Sequence, residues 1–559
     1  MNIEFSELNA SEAAPDVLII GSGPAGLAVA CGLEGSGLRV LVVEGGNWTE
    51  NPAQESAYYS GEAVAAHPTP PEFRRQRFGG TSHLWGGRCV PLDALDFEKR
   101  PQVPLSGWPI SLPELLPYYE QANQWMDAGE ANFYPKSLQN QQPLLAGLGE
   151  AVDELQERIE RYSLPTDVGQ AHRARLSAST QVQMLLHTRV VGLNMEPHHG
   201  EHGSQESVSS VALFHVPTGE RKTLACRHVV VCGGGLEATR LLLATQQRHA
   251  SWARFSHSLG KYYTCHFDAI VGRLVVGRLQ AGAERPPFEF ERTRDGVYAR
   301  RKLQFTREHQ HKLGLLNGAY RLHFPAYADA SHGSGVLSTI YLVKSILPGE
   351  HQRLLNHGQV PGTARRWPHV RNVLMGLPDI ARFAWDYLFR IKLARRKLPY
   401  TLVPNRNGSY PIEFNGEQIP HADNQVSLLS QTDPSGMPNI RIQWKLTEQD
   451  VASAVAGFKE LQRVIGQHTS AKLEFDVARL PQQMAAALPV GGHHMGTTRM
   501  GVDGDGCSVV NANLGVHGVH NLSVCAASVM PTCGHANPTL TVVALAFRLA
   551  DHLKATLQK

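Results

Sequence analysis

Asp16-Val-Leu-Ile-Ile-Gly21-Ser-Gly23-Pro-Ala-Gly26-Leu-Ala-Val-Ala-Cys-Gly-Leu33, followed by Arg39-Val-Leu-Val-Val-Glu44, decides the fold. A short β-branched apolar run of this kind fills a buried parallel strand. Apolar residues at helical spacing follow the glycines, and a second such run ends in Glu44, giving strand, glycine turn, helix, strand. Each position suits dinucleotide binding. Gly21 permits the tight turn, Gly23 lets backbone N–H groups approach a pyrophosphate, and Gly26 lets the helix lie close on the strand. Pro24 and Ala25 open the helix, whose N-terminus carries partial positive charge toward phosphates. Glu44 stands 18 residues beyond Gly26, where a carboxylate accepts both ribose hydroxyls. It disfavours the extra phosphate of NADP but does not separate NAD from FAD.

A second glycine cluster runs from Arg77 to Arg88. Gly79, Gly80, Thr81, Trp85, Gly86 and Gly87 suit backbone lying flat against a planar ligand, because a missing Cβ permits close approach. The residues alone fit a structural loop equally well. Gln181–Leu193 and Thr223–Cys232 read as strands, and Gly233–Leu243 repeats the glycine-then-helix pattern. Val190 and Gly234 are therefore added to the expected cofactor contacts. A strand and helix returning after so much other sequence imply a nucleotide domain interrupted by an insertion.

Pro104–Ala128 reads as a loop and then a helix begun by Pro113, a bridging or lid element. The middle of the chain alternates strand-like runs, Ser338–Val343 and Asn439–Trp444, with turns such as Asp433-Pro-Ser-Gly436. That pattern suggests an antiparallel sheet covering a pocket. Phe383–Lys397 is basic and amphipathic. A solvated outer helix or a subunit contact is expected there rather than a membrane surface.

The 559 residues have a formal charge of +3 and 18% charged side chains, below the roughly 25% of an average soluble protein. Neither a nucleic-acid partner nor a disordered chain is expected. Eight cysteines without a CxxC pair provide no zinc site and no redox dithiol, so no metal is expected and a reducing compartment is the simpler reading. The N-terminal residues carry acids where an export signal needs Lys or Arg, which favours a cytoplasmic location.

The most informative region is Gly491-Gly-His493-His-Met-Gly-Thr-Thr-Arg-Met500, followed by Cys533-Gly-His-Ala-Asn537-Pro-Thr-Leu-Thr541. Asn537 reads as the N-cap and Pro538 as the first position of a helix reaching Asp551. A helix start aimed at the pyrimidine end of a flavin favours the anionic reduced ring, making the ring a better hydride acceptor. Imidazole is a suitable base for an alcohol proton near neutral pH.

These motifs, in this order, resemble those of the glucose–methanol–choline (GMC) oxidoreductases. The Trp-Gly-Gly loop and the terminal Asn-Pro-Thr-Leu-Thr look most like the branch of pyranose oxidases and sugar dehydrogenase flavoproteins. The resemblance implies FAD, an alcohol substrate, and oxygen or another electron acceptor. It places the base on His493, the residue orienting the hydroxyl on Asn537, and hydride transfer on flavin N5, while His494 and His535 do not align and read as structural. Ala526 stands where many members have Asp, so Ala526 and Ala527 are expected to meet the cofactor through backbone, with Pro538 and Thr539 beside them. Leu84 occupies the position of the histidine that tethers FAD in some members, with His83 one residue earlier, so non-covalent FAD is expected.

The expected fold is α/β, α+β overall: a Rossmann-like FAD domain of residues 1–105, 180–275 and 488–559, with a lid and substrate segment at 106–179. A substrate domain on an antiparallel sheet fills 276–487. The expected reaction is oxidation of a ring hydroxyl of a sugar, glycoside or polyol. A biosynthetic enzyme acting on a complex natural product and a non-redox lyase of the same fold stay open, as does self-association.

Overall fold

The computed structural model describes residues 2–8, 14–64, 67–148, 152–163, 167–200, 203–249, 252, 257–276, 287–343, 366–403 and 408–558. One sheet has five parallel strands in the order Leu522–Val524, His228–Val231, Val17–Ile20, Val40–Val43 and Val182–Leu185. Helices cover it, so its strands are apolar throughout rather than alternating. Val17, Leu18 and Ile19 are fully buried, each such side chain contributing about 1.5–3 kcal/mol. Helix Pro24–Leu33 packs on this sheet and against the C-terminal helix Pro538–Leu557. The two helices touch at Gly32, where a Cβ would meet that of Ala550 at 2.7 Å. The end of the chain thus lies beside its beginning.

A second, mostly antiparallel sheet of nine strands includes Leu155–Tyr162, Phe267–Val275, Tyr298–Phe305, Gly318–Leu322 and Ser409–Gly416. Helix Glu448–His468 buries Phe458, Leu461, Val464 and Ile465 in the same core. A buried bidentate pair, in which Arg100 donates to Glu417 at 2.6 and 2.7 Å, pins the loop after helix Ala94–Phe97 to the end of strand Ser409–Gly416. Two three-stranded sheets complete the fold, and one of them pairs Pro438–Gln443 with Gly61–Ala63.

Several local expectations differ from the structure. Ser338–Val343 is helical, part of Gly335–Val343. That helix packs on Arg366–Met375 so closely that Gly335 and Gly376 meet backbone to backbone. Gln181–Leu193 is two strands, Val182–Leu185 and Thr188–Gly200, broken at His187 with φ of 55°. Thr223–Cys232 likewise divides into Arg221–Ala225 and His228–Val231, which join different sheets. The expected lid is helix Leu112–Trp125, started by a Ser111–Glu114 capping box. It braces the C-terminal helix, where Tyr119 Oη and Thr541 Oγ1 lie 2.8 Å apart. Among the described residues no helix is long and apolar enough to cross a membrane.

Candidate active site

A cleft with about 1430 Å³ of empty volume opens at the C-terminal ends of the parallel strands, the place where open α/β sheets bind ligands. Its walls include Gly21, Gly23, Pro24, Ala25, Glu44, Gly80 and Thr81. Val190, Gly234, Ala526, Ala527, Pro538 and Thr539 complete the expected residues that line it. Gly21 has φ of 99°, and a Cβ there would strike Cys232. Nothing lies within 4 Å of a Cβ built on Gly23, so that backbone is open to a ligand.

Gly26 does not line the cleft, because it packs inward: a Cβ there would meet the Gly21 carbonyl oxygen at 2.0 Å. Gly79, Trp85, Gly86 and Gly87 also stand outside the lining. The second glycine loop takes left-handed φ values at Gly79 and Gly80 and lies against the first turn, with Gly80 and Thr81 in the lining. Gly79 N–H donates to the Ser22 carbonyl at 3.0 Å, and Gly80 lies against Gly23.

The donor set fits a dinucleotide. The Glu44 carboxylate is held by Ser22 N–H at 3.0 Å, Ser22 Oγ at 2.7 Å and Gly46 N–H at 2.9 Å. Burial raises its pKa against these bonds and the charge of Arg189. Gln76, also in the lining, accepts from Arg189 at 2.9 Å through its oxygen, while its Nε2 is buried with no partner. A buried amide donor left unsatisfied costs roughly 1–3 kcal/mol, and a cofactor hydroxyl or phosphate oxygen would satisfy it.

His493 and Asn537 lie just past this lining, between Gly492 and Pro538, which belong to it. Asn537 Nδ2 is 3.1 Å from His493 Nε2. The asparagine side chain makes no capping bond to its own helix, so it points to the histidine instead. His493 Nδ1 faces His266 Nδ1 at 2.8 Å, and His266 Nε2 faces the Cys533 carbonyl at 3.0 Å. A carbonyl oxygen only accepts, so His266 carries its proton on Nε2 and accepts on Nδ1. His493 must then donate from Nδ1, leaving the Nε2 lone pair toward Asn537. Burial, then His266, Arg88 and His494, holds the His493 pKa well below its ordinary value. Burial brings His266 to about 4. Both rings are neutral near pH 7, so His493 Nε2 is a free base.

His494 has a parallel arrangement. His67 Nδ1 faces the Pro68 carbonyl at 2.8 Å, and its Nε2 is 2.8 Å from Tyr263 Oη. Tyr263 Oη in turn lies 2.9 Å from His494 Nδ1. By the same reasoning the tyrosine donates to His67 and accepts from His494. His494 Nε2 is left as an acceptor that is buried, unpartnered, and part of a residue lining the cleft. Its expected structural reading therefore covers only half of the ring. His535 has no such vacant side: its Nε2 meets Asp93 at 3.0 Å, and Lys302 Nζ lies 3.4 Å from its Nδ1.

The nine-stranded sheet presents buried charge to this region. Arg88 acts on His493 and lies 3.5 Å from Glu160, to which Arg321 Nε donates at 2.8 Å. Burial pushes Asp268, bonded by the Asn415 amide, up to about 6, and lowers Lys302 to about 8. Sequence reading missed His266, Tyr263, Gln76 and Arg88. Arg88 closes the second glycine loop, a signal that was available. His266 and Tyr263 sit on no motif.

Comparisons with known proteins agree with this picture. Residues 420–546 match the GMC oxidoreductase family model, and residues 16–259 match that of FAD dependent oxidoreductases. The chain is 24% identical to a 2-methyl-1,2-propanediol dehydrogenase of Mycolicibacterium austroafricanum, over 96% of this chain and 95% of that one. A C-glycoside 3-oxidase of Microbacterium trichothecenolyticum is 36% identical over 140 residues, 25% of this chain and 26% of that one. Among solved structures, a pyridoxine 4-oxidase from Mesorbium loti superposes with a TM-score of 0.54 at 16% identity, covering 96% of this chain and 99% of that one. A fungal aryl-alcohol oxidase superposes with the same score at 13% identity, over 98% of this chain and 100% of that one.

Proposed function

From a chain that belongs to the FAD-dependent GMC oxidoreductases, we propose an enzyme that oxidises a ring hydroxyl of a sugar, glycoside or polyol to a carbonyl. The observation that carries this reading is the 3.1 Å approach of Asn537 Nδ2 to His493 Nε2, with the histidine proton held on the opposite nitrogen. A substrate hydroxyl that replaces this direct contact and bridges the two side chains gives its proton to His493 Nε2 while Asn537 Nδ2 donates to the same oxygen. When bound, FAD would supply a flavin hydride acceptor for the carbinol carbon. The glycine turn, Glu44, Gln76, and the Ala526–Ala527 and Pro538–Thr539 segments hold it. The binding is non-covalent, since Leu84 stands at the tether position and His83 is engaged with Glu50 and the Gly80 carbonyl.

Arg88, which acts electrostatically on His493, brings guanidinium donors toward the site, which favours a substrate rich in hydroxyls. The similarity to a diol dehydrogenase and to C-glycoside oxidases points the same way. Oxygen or another electron acceptor completes the cycle. All eight cysteines are free, in keeping with a reducing, cytoplasmic setting.

Anaerobic addition of sugars, glycosides, polyols and simple alcohols to the FAD-loaded enzyme tests the proposal. Polyhydroxylated ring substrates should bleach the yellow flavin absorbance, and aerobic oxygen uptake identifies the acceptor. Bleaching by none of these alcohols would overturn the redox reading in favour of a lyase. Bleaching only by hydrophobic alcohols would overturn the substrate class.

A further inference from the structure

Among the described residues, eighteen large apolar side chains stay exposed, and nine of them lie between Trp367 and Leu393. They sit on three successive short helical elements, Arg366–Met375, Leu377–Asp386 and Tyr387–Lys392. Helix Leu377–Asp386 has an apolar stripe wider than its core can cover. Ile380 and Phe383 turn inward onto a small core of Tyr327, Val336, Leu337 and Val403. Leu377, Ala381, Ala384 and Trp385 continue the same apolar stripe around the helix and are exposed. Trp385 is 64% exposed, Trp367 73% and Met375 71%. The Trp385 ring packs on that of Phe389, with centroids 4.1 Å apart, so the patch continues past the helix end.

The same segment is strongly basic. Residues 366–397 hold eight Arg and Lys against two Asp, whereas the whole chain has a formal charge of only +3. Arg390 and Arg396 pair with Asp386 and Asp127. Lys392 Nζ lies over the Tyr387 ring, 5.4 Å from its centroid, so positive charge sits directly beside the apolar patch. A symmetric contact with a second copy would set this positive surplus against itself. Each ten-residue helix spans about 15 Å, half of the roughly 30 Å hydrocarbon layer, so the segment does not cross a bilayer.

We propose that residues 366–397 form a docking surface for the headgroup region of an anionic lipid bilayer. The outward Leu, Trp and Phe side chains enter the boundary between headgroups and acyl chains, and the surrounding Arg and Lys meet lipid phosphates. This replaces the solvated helix or subunit contact expected from sequence.

Flotation of the FAD-loaded full chain with phosphatidylcholine vesicles, with and without added phosphatidylglycerol, tests the surface. The enzyme should float with the anionic vesicles and lose about tenfold in binding at roughly 0.5 M salt. The double variant Trp385→Ser with Phe389→Ser should weaken binding at least about tenfold, with FAD content and alcohol turnover unchanged. Lys392→Glu with Arg395→Glu, which leaves the apolar patch intact, should weaken it comparably. Failure to float with anionic vesicles, or flotation untouched by both variants, overturns the proposal. So does a solution dimer that the apolar variant dissociates, since the patch would then belong to a second copy.

Discussion

His493 and His494 are adjacent in the chain but are hung from different parts of the molecule. His493 is steered by His266, which is anchored on the Cys533 carbonyl, and its Nε2 faces Asn537. His494 is steered by Tyr263 and His67, anchored on the Pro68 carbonyl, and its Nε2 belongs to the cofactor cleft. In both, a backbone oxygen at the far end dictates which nitrogen keeps the lone pair. The two rings have the same chemistry and the same tautomer. The difference teaches that, under the proposed function, position alone divides proton abstraction from cofactor contact.

The largest expected effect separates the two directly. His493→Ala should retain FAD yet slow anaerobic flavin reduction by at least about a hundredfold. His494→Ala should mainly weaken FAD retention. Equal slowing of reduction by both, with FAD bound in both, would erase the distinction.

The next test moves one residue back. His266→Leu removes the acceptor for His493 Nδ1–H, and flavin reduction should fall about tenfold with a changed pH profile. His266→Asn offers an amide oxygen to His493 and an amide N–H to Cys533, so it should recover most of the rate. Recovery by neither variant, with an unchanged pH profile, would reduce His266 to packing.

Tyr263→Phe breaks the other relay. Losing its bridging bonds should weaken FAD binding by about five- to tenfold, near 1–1.5 kcal/mol, without changing how fast bound flavin is reduced. Fluorescence titration of released FAD measures the first quantity and stopped-flow the second.

The smallest effect is a flat line. Burial depresses the His493 pKa, so reduction should hardly change from pH 8 to about 6. Stability should behave otherwise. His493, His494 and His266 all have folded values below the unfolded value of about 6.5, so the unfolded chain binds more protons. Their contribution is complete above that value and is lost as pH falls from there through the folded values. Urea midpoints at pH 8 and pH 5 should therefore diverge while the reduction rate between pH 8 and 6 does not.

Legibility varied with the range of the forces involved. The glycine turn, the two strands beside it, Glu44 and the Pro538 helix start were readable because each depends on residues a few positions away. Ser338–Val343 misled because its β-branched run is outweighed by the close approach of Gly335 to Gly376. Trp85, Gly86 and Gly87 read as ligand contacts, whereas of their loop Gly80 and Thr81 are the residues that line the cleft.

Sequence alone determined the dinucleotide turn, the order of the motifs and the candidate pair His493 and Asn537. Tertiary structure decided which nitrogen of each histidine is the acceptor, since the partners are 227 and 231 residues distant along the chain. A turn is set by the dihedral preferences of its own residues. A tautomer is set by whichever carbonyl the fold places at the other end of the hydrogen-bond chain, and no local pattern records that.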